Sequence, residues 1–367
     1  MALFSLKENF SALWNNERQN NIDLLRAIAV ISVFIHHAQH AYGGNFPFLG
    51  DYGGQFGPQL FFLISGYLIS ASCLKHSLRD YAIHRIFRIM PAYLAFFIII
   101  GVITNTVNLR SIFEFPWRFF ANLILLQQLF PSALLTFDVL HVTWTLTVEV
   151  IWYVLAPLLF WKQPKLHFSI VFLSIVISTA WSLLASLGLL DGLYPEIIKS
   201  NPGYSYLFIG NNFISQFCFF AFGAWLQSQK NTLSQWNPLA AFILFLLVFI
   251  LKPYYMIFNP IFITGIGLTF LMLGAINSHP IKNRFIFLIS ETSYSIYLCH
   301  FPIILWVRHG MGLESVQGVL VSILLTMTIS VISYVCIEKP GMRLGRRIAE
   351  KSPSFSGVKN LLNHAVK

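Results

Sequence analysis

Residues 22–41 read Ile-Asp-Leu-Leu-Arg-Ala-Ile-Ala-Val-Ile-Ser-Val-Phe-Ile-His-His-Ala-Gln-His-Ala. The stretch is long enough to cross a hydrocarbon core of about 30 Å as a helix. A helix also satisfies its own backbone hydrogen bonds, which lipid cannot do. Nine further apolar stretches follow, at about 56–74, 91–107, 143–161, 167–190, 204–227, 238–256, 259–276, 285–307 and 316–337. Across the 367 residues, hydrophobic types make up 56% and charged types 10%. Soluble domains carry roughly 25% charge, so this inventory cannot build a water-facing surface. Mean hydropathy is +0.67. The expected fold is all-α: a polytopic integral membrane protein with about ten transmembrane helices.

The net charge is +10. In a soluble chain that excess would raise nucleic acid as a partner. Here it has a plainer origin, because Lys and Arg accumulate in cytoplasmic loops. With ten spans and the N-terminus inside, the inner loops hold Lys75, Arg79, Arg85, Arg88, Lys162, Lys165, Lys230, Lys282 and Arg284. The outer loops hold only Arg110, Arg118, Lys199, Lys252 and Arg308. Both termini are therefore expected in the cytoplasm. The chain divides into an N-terminal segment 1–21, a transmembrane domain 22–340 and a basic tail 341–367. The first 20 residues lack the pattern of a cleaved signal, so the first helix reads as a retained signal-anchor. The apolar stretch from Phe115 to Phe130 is interrupted by Arg118 and Asn122 and reads as interfacial or re-entrant. The four cysteines, Cys73, Cys218, Cys299 and Cys336, show neither metal-ligand nor disulfide spacing.

Ionisable residues at membrane depth are costly and mark function. Arg26 and His37 lie eleven residues apart, hence on one helix face, with His37 roughly 16 Å deeper. The bland alternative is an interface anchor and a packed histidine. His36 and His40 have the i, i+4 spacing of metal ligands, but nothing completes a set, and no metal is expected. Arg85 and Arg88 are i, i+3 neighbours on a helix and suit phosphate oxygens, or merely anchor the chain. Glu149 is the one carboxylate of the fourth span, and His300 sits near Tyr297 and Pro302 in the ninth. Counted at 1.5 Å per residue, His37, His300 and Glu149 all fall about 21 Å from the inner boundary. One layer of three ionisable groups above three arginines is the geometry of a reaction centre fed by an anionic ligand from the cytoplasm.

The chain resembles the acyltransferase 3 family of membrane O-acyltransferases, which includes bacterial O-antigen acetylases. The matching segments are Ile22-Asp-Leu-Leu-Arg26 through His37, Phe61-Phe-Leu-Ile-Ser-Gly-Tyr-Leu-Ile69, Arg85-Ile-Phe-Arg88-Ile-Met-Pro91, Trp144-Thr-Leu-Thr-Val-Glu149, Ser293-Tyr-Ser-Ile-Tyr-Leu-Cys-His300 and Ile337-Glu-Lys-Pro340. The resemblance implies transfer of an acyl group, commonly acetyl, from acyl-CoA to a hydroxyl of a glycan or lipid-linked sugar. It implies catalytic roles for His37, Glu149 and His300, and acyl-CoA binding by Arg26, Arg85 and Arg88. Trp144, Tyr297 and Ser65 would support them. Acetyl-CoA would be a donor substrate, with no bound cofactor. The expected setting is the inner membrane of a bacterium, beside proteins of envelope-glycan biosynthesis.

Two departures stand out. Val150 follows Glu149 where the family often has a second Glu, which weakens any mechanism needing both carboxylates. Cys299 stands where Trp is frequent. Some relatives carry a soluble esterase-like domain, of which this chain shows none, so transfer is expected within the membrane domain or with a partner. The chemistry suits these residues. Histidine is the usual base for a hydroxyl, and Glu149 is a candidate to orient it. His300, Tyr297 or a helix terminus could donate to the thioester oxygen. Covalent attack by His37 is an open alternative. A glycan transporter or flippase is the rival class, and its sign, paired broken helices in two halves, is not found.

Overall fold

The computed structural model describes residues 20–160, 168–251 and 261–350. Among them there are helices and no strand. The principal helices are α1 (Asn21–Tyr42), α2 (Leu49–Lys75), α3 (Leu78–Ile103), α4 (Trp144–Phe160), α5 (Phe168–Ser186), α6 (Phe213–Ser228), α7 (Pro238–Leu251), α8 (Ile261–Asn277), α9 (Ser293–Leu305), α10 (Ser315–Ser333) and α11 (Lys339–Glu350). A π turn, Tyr334–Glu338, joins α10 to α11, making one helix of 36 residues from Ser315 to Glu350. Among the described residues, five helices are long and apolar enough to cross a membrane: α1, α2, α3, α5 and the joined α10–α11. A sixth is added if Gly203–Gly210 and α6, bent by 44°, form one span. Helices α4, α7 and α8 are apolar but shorter.

The outward faces carry bare apolar side chains, among them Ile99, Ile103, Leu158, Leu246 and Leu324. The interior instead holds small hydroxyls, including Ser32, Ser178, Ser295 and Ser330. Apolar outside with small polar residues between helices is the arrangement a lipid solvent favours.

Helix α1 begins where Asn20 and Asp23 cap each other, the Asn20 side chain accepting from the Ile22 amide at 2.9 Å and Asp23 accepting from the Asn20 amide at 3.2 Å. Asn21 then clasps the end of α8, donating to the Ala275 carbonyl at 2.8 Å. Helix α2 runs through the middle, between α1 and α6, and also touches α4. Both of its main crossings are backbone against backbone. A Cβ on Gly57 would collide with the Ala29 carbonyl of α1, and a Cβ on Gly66 with the Phe220 carbonyl of α6. From the other side, a Cβ on Gly223 would strike the Leu63 carbonyl. Helices α1 and α9 run parallel, since Arg26 meets Ser293, His37 meets His300 and Tyr42 meets the Ile304 carbonyl.

One expected boundary needs correction. The basic stretch before Pro91 is the first half of α3, capped by Ser77, whose hydroxyl accepts from the Asp80 amide at 3.1 Å. Proline inside a membrane helix is tolerated because neighbours re-satisfy the backbone, so Pro91 does not start the span. The segment Phe115–Phe130 breaks into Pro116–Leu123 and a short turn Gln127–Leu129, with Leu125 at φ 61°. Its polar residues are used internally, Asn122 donating to the Ala133 carbonyl at 2.9 Å. The basic segment from 341 continues the preceding helix to Glu350 and packs on α3, Gly341 against Pro91 and Gly345 against Phe87. Residues 1–19 and 351–367 of the expected terminal segments lie outside the described residues.

Gly223→Val should push α6 off α2. Overpacking costs about 1–3 kcal/mol, so the melting temperature in detergent should fall, whereas Leu324→Val on the outer face should leave it nearly unchanged. Equal melting of the two variants would contradict the close crossing.

Candidate functional site

Helices α1, α2, α3, α4, α9 and α11 enclose a cavity of about 1510 Å³. That exceeds the roughly 300–1,000 Å³ of ordinary small-molecule sites. Arg26, Arg85, Arg88, Ser65, Glu149 and Tyr297 all line it. Lys75, Arg79, Lys339 and Arg346 add further positive charge from the end of α2, the start of α3 and α11. Several lining carboxylates are already engaged. Asp23 accepts from Ser290 Oγ at 3.0 Å, and Glu291 accepts from the Tyr334 hydroxyl. The lining carries seven Lys and Arg side chains against five carboxylates, Asp23, Asp80, Glu149, Glu291 and Glu350, so its formal charge is positive.

The three arginines are held differently. Arg88 Nη1 stands 3.5 Å from Glu338 Oε2 and also reaches Met342 Sδ at 3.2 Å. Glu338 is almost wholly buried, and its other oxygen accepts from Ser295 Oγ. Arg26 Nη2 donates to Ser293 Oγ at 3.1 Å. Arg85 lies over the rings of Tyr81 and Tyr153, 5.9 and 5.8 Å from their centroids. Its Nε is buried and has no hydrogen-bond partner among the described residues. A buried N–H without a partner costs free energy, so Arg85 is the guanidinium most in need of an anion.

The histidines meet. His37 Nδ1 and His300 Nε2 are 2.8 Å apart, and the rings lie 5.1 Å apart at 25°. The direction of this bond follows from the other ring nitrogen. His300 Nδ1 lies 3.0 Å from the Ile296 carbonyl and 2.8 Å from that of Tyr297. Carbonyls only accept, so His300 Nδ1 carries the proton. In a neutral imidazole the other nitrogen is then a lone pair. His300 Nε2 therefore accepts, and His37 Nδ1–H donates. His37 Nε2 is left as an unprotonated lone pair. His36 and His40 make backbone contacts, to Gly50 O at 2.7 Å and His36 O at 2.8 Å, and no group of three or more metal-ligating side chains occurs among the described residues.

The remaining expected residues are redistributed. Glu149 Oε1 accepts from Ser65 Oγ at 3.0 Å and from Tyr153 OH at 2.6 Å. No hydrogen bond joins it to either imidazole among the described residues, so His300 and not Glu149 orients His37. His300 cannot serve as an oxyanion donor in this tautomer, because its one N–H is spent on its own helix. The carbonyls it uses are Ile296 and Tyr297, and not the Leu298 carbonyl that Pro302 leaves without an amide partner. The Tyr297 hydroxyl is also committed, to Val142 O at 3.1 Å and Thr145 Oγ1 at 2.8 Å. Trp144 packs edge-on against Phe62. Cys299 faces Ser330 of α10 at 3.4 Å, away from the cavity.

A family model described as an acyltransferase domain, acyltransferase 3, matches residues 19–335. The chain belongs to this family. A protein of Staphylococcus aureus strain COL, named "Putative O-acetyltransferase", is 25% identical over 380 residues, covering 91% of this chain and 59% of its own length. A protein of the same name from strain MRSA252 is 25% identical, with 88% and 57% covered. Nodulation protein 10 of Rhizobium leguminosarum bv. viciae is 28% identical over 169 residues, 40% of this chain and 46% of that protein. The chain thus spans less than two thirds of the curated relatives it matches. No solved structure matches it significantly.

Within the acyltransferase 3 chain, sequence reading missed three participants: Glu338 beneath Arg88, Tyr153 beside Glu149 and Arg85, and Ser293 on Arg26. Glu338 left a signal, as a carboxylate at the end of an apolar span that needs a cation. Tyr153 lies one turn after Glu149, the i, i+4 position. Glu338→Ala should destabilise the protein by about 3–5 kcal/mol, the cost of breaking a buried pair from one side. Arg85→Ala, which removes no ion pair, should cost far less, and thermal melts of both variants check the order.

Proposed function

We propose that the chain is a membrane-bound O-acyltransferase moving an acetyl group from acetyl-CoA to a hydroxyl of a cell-surface or lipid-linked glycan. One observation carries the reading: the carbonyls on His300 Nδ1 leave His37 Nε2 as a lone pair at membrane depth, which is what a base for a hydroxyl requires. The base takes the hydroxyl proton as the oxygen attacks the thioester carbonyl carbon. The carbon–sulfur bond then breaks, and the CoA sulfur leaves with the proton returned by His37. While His37 is protonated, its bond to His300 Nε2 is charge-assisted and stronger. His300 is thus a positioning residue. Arg85 and Arg26 bind donor phosphates, and Arg88 holds its place through Glu338. Glu149, oriented by Ser65 and Tyr153, adds a polar wall on the donor side.

The topology in this proposal is ten spans with both termini in the cytoplasm, in the inner membrane of a bacterium. Two features support it. Helices α1 and α9 are parallel, which requires an even number of crossings between their starts. Arg26, Lys75, Arg79, Arg85, Lys339 and Arg346 gather around one cavity, as cytoplasmic cations would. Proteins of envelope-glycan biosynthesis are the natural partners, since they supply the acceptor.

His37→Ala should lower acetyl transfer by about 10²-fold or more, while the variant still inserts and melts near the wild-type temperature. Mass spectrometry of surface glycans reads the loss, and unchanged acetylation would falsify the base assignment. Arg85→Ala should raise the KM for acetyl-CoA about tenfold or more, the worth of a hydrogen bond to a charged group. An unaltered KM would return Arg85 to a merely structural role.

A further inference from the structure

The cavity stops short of the histidines, for neither His37 nor His300 lines it. Two of its lining rings lead towards them. Phe61 of α2 and Tyr297 of α9 both line the cavity and meet edge to face, with centroids 6.2 Å apart. The Tyr297 ring lies 5.8 Å from the His300 ring. A donor whose phosphates sit on the arginines therefore meets this pair of rings before it meets the histidines.

The two rings are not equally fixed. Tyr297 is buried, and its hydroxyl is tied to Val142 and Thr145. Phe61 has no polar tether. It is half-buried and packs on the margins of both main apolar clusters without belonging to the interior of either. Its neighbour Phe62 is pinned instead, stacked on Phe220 at 4.9 Å. Of the two rings, Phe61 is the one that can change rotamer without breaking a hydrogen bond or opening a core.

From this we infer that Phe61 is the specificity-determining residue of the donor path, setting how long an acyl group can pass to His37 and keeping water from the thioester until it does. The inference rests on the acyltransferase reading. A two-carbon acyl group slips past the turned ring, while a longer chain needs space that the ring and the fixed Tyr297 leave filled. Between turnovers the ring excludes water, whose attack on the thioester carbonyl would break the carbon–sulfur bond to give a free acid and CoA thiol.

The test uses the full chain in lipid nanodiscs, with radiolabelled acetyl-CoA binding and release of CoA thiol from acetyl-, butyryl- and octanoyl-CoA. Cells expressing each variant supply the transfer readout, acylation of surface glycans by mass spectrometry. Phe61→Ala should raise acceptor-free hydrolysis of acetyl-CoA and turnover of butyryl-CoA about tenfold or more, since a single methylene in a pocket is worth that much. Phe61→Leu should shift both in the same direction by less, and it carries the test if the alanine variant does not fold. Phe61→Trp should bind acetyl-CoA as the wild type does yet lose transfer. An unchanged chain-length profile in the small variants, with wild-type transfer by Phe61→Trp, overturns the inference and leaves the acyltransferase reading intact. A wild-type protein that neither binds acetyl-CoA nor acylates glycans removes both.

Discussion

The proton on His300 Nδ1 is held by two carbonyls of its own helix, and much of the site depends on that. An imidazole with one nitrogen so occupied must accept at the other. It follows that His37 donates, and that the outer nitrogen of His37 is basic. The bond in turn requires α1 and α9 to lie side by side and in the same direction. The contacts above and below it agree, Tyr42 reaching the Ile304 carbonyl and Arg26 reaching Ser293. A tautomer is thus written into helix packing, with no carboxylate needed to impose it.

Charge is sorted along the same pair of helices. Arginines occupy one end of the cavity, and neutral histidines lie beyond its other end. A medium of low dielectric strengthens every interaction of the arginines with an anion, and it makes their unpaired state costly. Glu338 relieves Arg88 of that cost, whereas Arg85 has only aromatic faces beneath it. The binding end is therefore neutralised only in part.

Much of this was legible in the sequence. Arg26 and His37 on one face, a histidine from the ninth span at matching depth, and the pair Arg85 and Arg88 all follow from helical arithmetic and the cost of charge in lipid. What arithmetic could not supply was the depth at which one helix starts against another. Counting places Glu149 level with the histidines, but Thr145 of the same helix already meets Tyr297, so the carboxylate one turn on falls nearer the arginines, against Ser65 and Tyr153. Likewise Tyr297 is close to His300 in sequence, yet its hydroxyl is claimed by Val142 and Thr145. The start of α3 was misplaced for a different reason. Hydropathy falls where arginines line a wet cavity, although the helix continues unbroken through them.

Helix α2 is hemmed in on two sides by backbone, with Gly57 against α1 and Gly66 against α6. Any side chain at those positions would part the helices, so variation there is closed to the protein. Ser65 is engaged by Glu149, and Phe62 by Phe220. The same helix nevertheless contributes a long stretch of the cavity wall. Divergence in what the cavity accepts must therefore pass through the few positions of α2 that owe nothing to a neighbour. An architecture rigid enough to hold a tautomer in place leaves its evolutionary latitude concentrated in single residues.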